Sequence, residues 1–256
     1  MAEGALVGRR ALVTGASRGI GAATARALAA QGADVVLTAR GADALQDLAG
    51  ELSAQGVRAL AVPADLTDRA ALDAVITCVA TEFGGLDILV NNAGVLPPAT
   101  LAERVGWPQW DAAIALNLSA PWYLACRAKE LMGATGGVVV NIASTASYYP
   151  SRGFVAYNAT KAAMLMLTRT LALEWARDGV RVVGVAPGKI DTELVAPILA
   201  WARERSLALN PQGRIGRDIE VADLVGFLVS DQAAYLTGVT IPIDGGELLT
   251  AGAAPG

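Results

Sequence analysis

The chain has 256 residues, of which 54% are hydrophobic; 20 basic and 24 acidic side chains give a net charge of −4, and there are two cysteines and no histidine. Without histidine there is no Ser-His-Asp triad, no Cys-His pair, no histidine general base and no usual zinc-histidine centre, so any catalysis uses another proton carrier. Cys78 and Cys126 are too few for a disulfide scaffold or a four-cysteine metal site, and the scattered charge offers no basic stripe for nucleic acid or anionic lipid.

The longest charge-free stretch, Leu131 to Ser151, contains Gly133, Gly136, Gly137, Asn141 and Pro150, and is not expected to cross a membrane as a helix. The opening segment carries Glu3 and no long apolar run, which predicts a cytoplasmic protein without a signal peptide. The length suits one domain over residues 1–256, closing in a small-residue tail at 250–256 that is expected to be flexible.

In chain order, short β-branched runs alternate with helix-like stretches. A strand at Arg10–Val13 leads into Thr14-Gly15-Ala16-Ser17-Arg18-Gly19-Ile20-Gly21 and a helix over 19–31 that stops at Gly32. Glycines between a strand and a helix let the backbone approach a pyrophosphate and aim helix N-terminal amides at it. A second strand, Asp34–Thr38, ends at Arg40 with no carboxylate where one would bind the adenosine ribose of NAD. Arg40 and Arg18 instead place two guanidinium groups near a 2′-phosphate, which predicts NADP(H) in preference to NAD(H).

A helix over 42–55 stops at Gly56, and a strand follows at Arg58–Val62. Thr67 and Asp68 supply a capping signal for a helix over 68–83, ahead of a strand at Asp87–Val90. That strand runs into Asn91-Asn92-Ala93-Gly94, whose amides can tie strand ends together. The next helix, over 109–132, carries Asn117 among apolar residues, where a polar side chain has a local backbone partner. The fifth strand, Val138–Ile142, leads to Ser144 at its carboxyl end.

The helix over 154–177 begins with Tyr157 and Lys161, four apart and therefore on one side, and stops at Gly179. An ammonium about 4 Å from a phenol is worth about 4 kcal/mol at an effective dielectric of 20, enough to bring it toward use near neutrality. Tyr148 and Tyr149 lack a lysine four positions on. The same helix is apolar on nearly every face, which predicts that part of it meets another subunit. A strand at Arg181–Val185 precedes a lid-like segment over about 189–215 with Leu194, Val195, Pro197, Ile198, Leu199, Trp201, Leu207 and Leu209 and an Arg203-Glu204-Arg205 cluster. A helix over 220–230 and a strand at Val239–Ile243 complete the series. Repeated β-α alternation implies a doubly wound α/β fold with a parallel sheet and ligands at the strands' carboxyl ends.

Together these residues closely resemble the short-chain dehydrogenase/reductase family over about 9–248: the glycine loop at 14–21, Asp65-Leu66, Asn91 to Gly94, Asn117, Ser144, Tyr157 to Lys161, Pro187-Gly188 with Thr192, and Thr237 to Gly246. Asn117, Ser144 and Tyr157 lie 27 and 13 residues apart, which also fits. The resemblance implies a single-domain Rossmann-type fold with a seven-stranded parallel sheet, assembled as a homotetramer or homodimer. It implies Tyr157 as general acid/base, Lys161 as its partner and a ribose ligand, Ser144 orienting a substrate carbonyl, and Asn117 helping to hold a relay water. Gly15, Ser17, Arg18, Gly19, Ile20, Gly21 and Arg40 would hold the cofactor, Asp65 and Leu66 flank adenine, and Asn91, Ala93 and Gly94 line the site. Pro187, Gly188, Ile190 and Thr192 would border the nicotinamide. The expected activity is hydride transfer between NADP(H) and a fairly hydrophobic carbonyl compound or alcohol, similar to 3-oxoacyl-acyl-carrier-protein reductases; an NAD-dependent dehydrogenase of a secondary alcohol, sugar or steroid is the alternative, and a nucleotide-binding regulatory protein a third. No metal is expected.

Overall fold

The structure, a computed structural model, describes residues 4–134, 136–196, 204 and 210–250. Seven strands form one all-parallel sheet: β1 (Arg10–Thr14), β2 (Asp34–Ala39), β3 (Ala59–Pro63), β4 (Ile88–Asn91), β5 (Gly137–Ile142), β6 (Val180–Pro187) and β7 (Thr240–Ile243). Their spatial order is β3-β2-β1-β4-β5-β6-β7, so the chain reverses its direction of travel between β1 and β4. In such sheets the crevice at the reversal, above the strands' carboxyl ends, is where ligands bind.

The strands are mostly apolar because successive side chains serve opposite faces, both covered by helices in the central strands. Ala11, Val13, Val35, Leu37, Ile88, Val138 and Val183 face one helical layer, α1 (Gly19–Ala30), α2 (Ala42–Ser53) and α7 (Asp218–Val229). Leu12, Val36, Leu89, Val139 and Val182 face the other, α3 (Arg69–Phe83), α5 (Ala120–Leu131) and α6 (Val155–Trp175). A one-residue slip in any strand would exchange the two sets.

The predicted elements are present, with ends shifted by at most two residues, except at 109–132. There α4 (Trp107–Ile114) and α5 are joined by a π-helical turn, Ala115–Ser119, centred on Asn117. The cap of α3 is Asp68, whose carboxylate accepts from Ala70 N–H at 3.0 Å; the Thr67 hydroxyl turns back to Asp65 instead. Gly32, Gly56 and Gly179 all take positive φ at helix ends. Of the lid-like segment, 189–196, Glu204 and 210–215 are described; Pro197, Ile198, Leu199, Trp201, Arg203, Arg205, Leu207 and Leu209 lie outside the described residues, as do 251–256 of the tail. No helix among the described residues is long and apolar enough to cross a membrane.

At the opposite end of the sheet from the crevice, Arg10 clamps β1 to the start of β4. Its guanidinium reaches Asp87 at 2.8 and 3.2 Å and its backbone N–H donates to the same carboxylate at 2.8 Å. Burial pushes the Asp87 carboxyl up, but the hydrogen bonds and charge of Arg10 outweigh it and hold the group below the usual carboxylate range. A depressed native value adds stability that is fully present above the unfolded value of about 3.9 and is lost as pH falls through the native one. Asp87→Asn is therefore expected to destabilise the fold by about 1–3 kcal/mol at pH 7, and the difference should shrink below about pH 4. Urea denaturation of both proteins at pH 7 and pH 3 checks this; equal midpoints at pH 7 would contradict it.

Candidate active site

The glycine loop leaves β1 at Thr14 and enters α1 at Gly19. A Cβ on Gly15 would lie 2.9 Å from Ala93 Cα, and one on Gly21 would lie 2.2 Å from the Gly15 carbonyl oxygen, so neither position admits a side chain. The Thr14 hydroxyl donates to Val90 O at 3.2 Å and accepts from Asn92 and Ala93 N–H, each at 2.9 Å. The Asn92 amide donates to Thr14 O and Gly15 O at 2.9 and 3.2 Å, as the tying role expected of that turn requires. No side chain caps α1 and its first turn holds no acid, which leaves N-terminal amides aimed into the crevice.

Around this loop the predicted cofactor residues divide. Ile20 packs on the core, and Ser17 is half-buried at the loop's tip. A Cβ on Gly19 would lie 3.1 Å from Thr192 Cγ2, so Gly19 and Thr192 face one another across the crevice. Arg18 forms an ion pair with Glu193, which ties the glycine loop to the start of the lid-like segment. Arg40 is exposed just beyond β2, with Asp65 as an electrostatic neighbour. Hydrogen bonds from the Thr67 backbone and hydroxyl hold the Asp65 carboxyl low, and Leu66 is buried beside it. The Asn91 side chain turns into the sheet, donating to Pro121 O at 3.2 Å and Asn141 Oδ1 at 3.0 Å, so only its backbone faces the crevice. Pro187 ends β6, Gly188 N–H donates to Ile243 O at 3.0 Å, and Ile190 is buried where the 189–191 backbone pairs with Gly216. A Cβ on Gly94 would lie 3.3 Å from Asn117 Oδ1 and 3.9 Å from Lys161 Nζ, which places Gly94 beside Asn117 and Lys161.

Tyr157 and Lys161 lie one turn apart at the start of α6, and Ser144, just after β5, is the polar neighbour that favours the ionised form of the Tyr157 phenol. Ser144 also caps a short helical turn after β5, accepting from Ala146 N–H at 3.1 Å. Lys161 is 5% exposed, and its Nζ donates to Ile142 O, the last carbonyl of β5, at 2.7 Å. The ammonium sits 5.8 Å from the Tyr157 ring centroid. Burial pushes Lys161 down to about 8. It also pushes Tyr157 above its ordinary value, with Ser144 pulling the other way. The π turn brings Asn117 to the same place: its amide donates to Val95 O at 2.9 Å and Thr160 Oγ1 at 3.3 Å, and its carbonyl accepts from Val95 N–H at 2.8 Å. Among the described residues no cluster of histidine, cysteine or carboxylate side chains could hold a metal.

Sequence reasoning did not single out the Thr14 hydroxyl or the pairing of Lys189 and Tyr149 with Glu247. Thr14 sits at a conspicuous place, between strand and glycine loop. For Glu247 there is no local signal, because its partners are 58 and 98 residues away. A cavity of about 510 Å³ lined by Leu66, Arg69, Asp111, Trp122 and Tyr123 opens between α3 and α5, away from Ser144 and Tyr157.

The family model described as enoyl-(acyl carrier protein) reductase matches residues 15–247. Cis-4-hydroxycyclohexanecarboxylate dehydrogenase of Sinomonas cyclohexanicum is 41% identical over 241 residues, covering 93% of this chain and 96% of that one. The 3-oxoacyl-acyl-carrier-protein reductase of Escherichia coli K12 is 38% identical over 240 residues, covering 93% and 97%. A short-chain dehydrogenase from Burkholderia cenocepacia J2315, solved in complex with NADP, superposes with a TM-score of 0.88 at 37% identity, covering 94% and 98%. With one parallel sheet in this strand order and relatives of this extent, the chain belongs to the short-chain dehydrogenase/reductase family and is an oxidoreductase of alcohol and carbonyl groups.

Proposed function

We propose that the protein interconverts a ketone and a secondary alcohol using NADP(H), with Tyr157 as general acid/base and a fairly hydrophobic ketone or 3-oxoacyl group as substrate. The observation that carries this reading is the gathering of Tyr157, Ser144 and the buried Lys161 at the carboxyl end of β5, beside the glycine crevice. A nicotinamide dinucleotide supplies the hydride when bound, and the crevice suits it: Gly15 and Gly21 form a cradle that any Cβ would fill. Around that cradle, the uncapped amides of α1 suit a pyrophosphate; Asp65 and Leu66 suit adenine; Ala93, Gly94 and the Asn91 backbone suit the ribose; and Pro187, Gly188, Ile190 and Thr192 suit the nicotinamide. Support for NADP comes from Arg40, which keeps its guanidinium exposed at the end of β2, and from the NADP complex of the Burkholderia relative.

As charge develops on the substrate oxygen, Tyr157 transfers its phenolic proton to it and the Ser144 hydroxyl donates a hydrogen bond. Burial disfavours charge on Tyr157 and on Lys161 separately, but together phenolate and ammonium relieve one another. Both amide protons of Asn117 are committed, so its part in holding a relay water falls to its backbone in the π turn. No described helix crosses a membrane, in keeping with work in the cytoplasm. On α6, Val155, Met166 and Leu173 are exposed along one stripe, with Leu173 82% exposed, and this face is the proposed contact with a second copy in a homodimer or homotetramer.

A ketone panel that includes a 3-oxoacyl thioester, followed by NADPH consumption, tests the reading, and an inert panel would refute it. Tyr157→Phe should lower kcat by about 10²–10⁴-fold; near-native turnover would refute the role of the phenol. Arg40→Ala should reduce kcat/KM for NADPH by about 10-fold or more, the loss of a charge-assisted contact, and narrow the NADPH to NADH ratio. A wild-type preference for NADH would overturn the cofactor assignment. Leu173→Glu should shift the protein toward the monomer in size-exclusion chromatography with light scattering; a wild-type monomer would contradict the interface.

A further inference from the structure

Beside Ser144, toward β6 and β7, lies a polar cluster that the proton chemistry leaves unused. Glu247 begins a single helical turn after β7 and is 6% exposed. Its Oε1 accepts from the Tyr149 hydroxyl, from Lys189 Nζ at 2.5 Å and from Thr145 Oγ1 at 3.5 Å. Its Oε2 is buried with no hydrogen-bond partner among the described residues, and a Cβ on Gly188 would lie 2.7 Å from it. Thr145 adjoins Ser144 and Lys189 adjoins Gly188, so the cluster borders the ground between the proposed oxygen-binding hydroxyl and the nicotinamide end of the crevice.

The hydrogen-bonding capacity left over identifies what the cluster suits. Lys189, with 21% of its side chain exposed, has two N–H donors beyond the one given to Glu247. The Tyr149 oxygen can still accept, while Glu247 Oε2, buried against Gly188, is closed to solvent. Asp244, whose carboxylate accepts from Gly246 and Leu248 N–H, adds a second negative charge beside the Glu247–Lys189 pair, so the cluster presents donors and acceptors in a field that disfavours an anion. A neutral hydroxyl, which both donates and accepts, matches it. An alkyl group would leave these polar atoms unpaired once water is excluded, and a carboxylate would meet the charge of Glu247.

We propose that Glu247, Lys189 and Tyr149 form a specificity subsite that recognises a neutral hydroxyl elsewhere on the substrate, making hydroxy-ketones and the corresponding diols the preferred pair. The inference rests on the oxidoreductase reading above and narrows its substrate class.

The test compares kcat/KM at saturating NADPH for cyclohexanone, the set of 2-, 3- and 4-hydroxycyclohexanones, and 4-oxocyclohexanecarboxylate. The wild-type protein should favour at least one hydroxycyclohexanone over cyclohexanone by about 10-fold or more, since sites built to bond a hydroxyl reject the analogue lacking it. Glu247→Gln should bring that ratio toward one, mainly through KM, and raise relative activity on the carboxylate by unmasking Lys189. Tyr149→Phe, which deletes one hydroxyl and leaves the ion pair, should lower the ratio in the same direction by a smaller factor. A wild-type ratio near one, a ratio unmoved by either variant, or an equal loss for every ketone would overturn the subsite while leaving the oxidoreductase reading intact. Failure of the wild-type protein to consume NADPH with any of these ketones would instead remove that reading, and the subsite with it.

Discussion

The hydroxyl of Thr14 bridges β1 and β4 where the sheet changes direction, and the crevice depends on that junction. One oxygen donates to Val90 O and receives the N–H groups of Asn92 and Ala93, while the Asn92 amide returns to Thr14 O and Gly15 O. These bonds satisfy backbone groups that two diverging strands would otherwise leave unpaired in a buried place. They also hold the glycine loop so close to the β4 extension that Gly15 and Gly21 have no space for a Cβ. The floor of the crevice is therefore made by backbone, and side chains only border it.

On the other wall of the crevice, burial governs the chemistry. Lys161 and Tyr157 lie in surroundings that disfavour an ammonium and a phenolate alike. Ile142 O anchors the lysine, and Thr160, between Tyr157 and Lys161 on α6, takes a hydrogen bond from Asn117. The Glu247 cluster repeats the pattern next door. Burial and the carboxylate together raise the Tyr149 phenol well above its ordinary value, keeping its proton on as a donor.

Much of this was legible before any coordinates because the signals are local. Strand identity follows from continuous apolar runs, helix ends from Gly32, Gly56 and Gly179, and the Tyr157–Lys161 pairing from helical periodicity. The π turn at Asn117 had one local signal, which the reading of a single helix over 109–132 passed over: Pro121 has no N–H to give the Asn117 carbonyl four residues back. The partners that hold the Asn117 side chain, Val95 and Thr160, were not legible, being 22 and 43 residues away. Likewise Arg18 reads as a phosphate ligand in sequence, yet it is engaged by Glu193 across the crevice. The spacing of Tyr157 and Lys161 places them on one side of α6 but does not set the ammonium's target, and Ile142 O draws it to 5.8 Å from the ring centroid.

The sequence by itself determined the alternation of strands and helices, the glycine loop, and which residues could carry a proton once histidine was missing. These depend on composition and on periods of two and 3.6 residues, which any window of the chain displays. Only the tertiary structure decided how deeply Lys161 is buried, which way the Asn117 and Asn91 side chains turn, and that Glu247 gathers Tyr149, Lys189 and Thr145 from the ends of different strands. Desolvation and hydrogen bonding depend on which atoms meet. In a parallel sheet those meetings are made by crossover connections that separate neighbours in space by tens of residues along the chain.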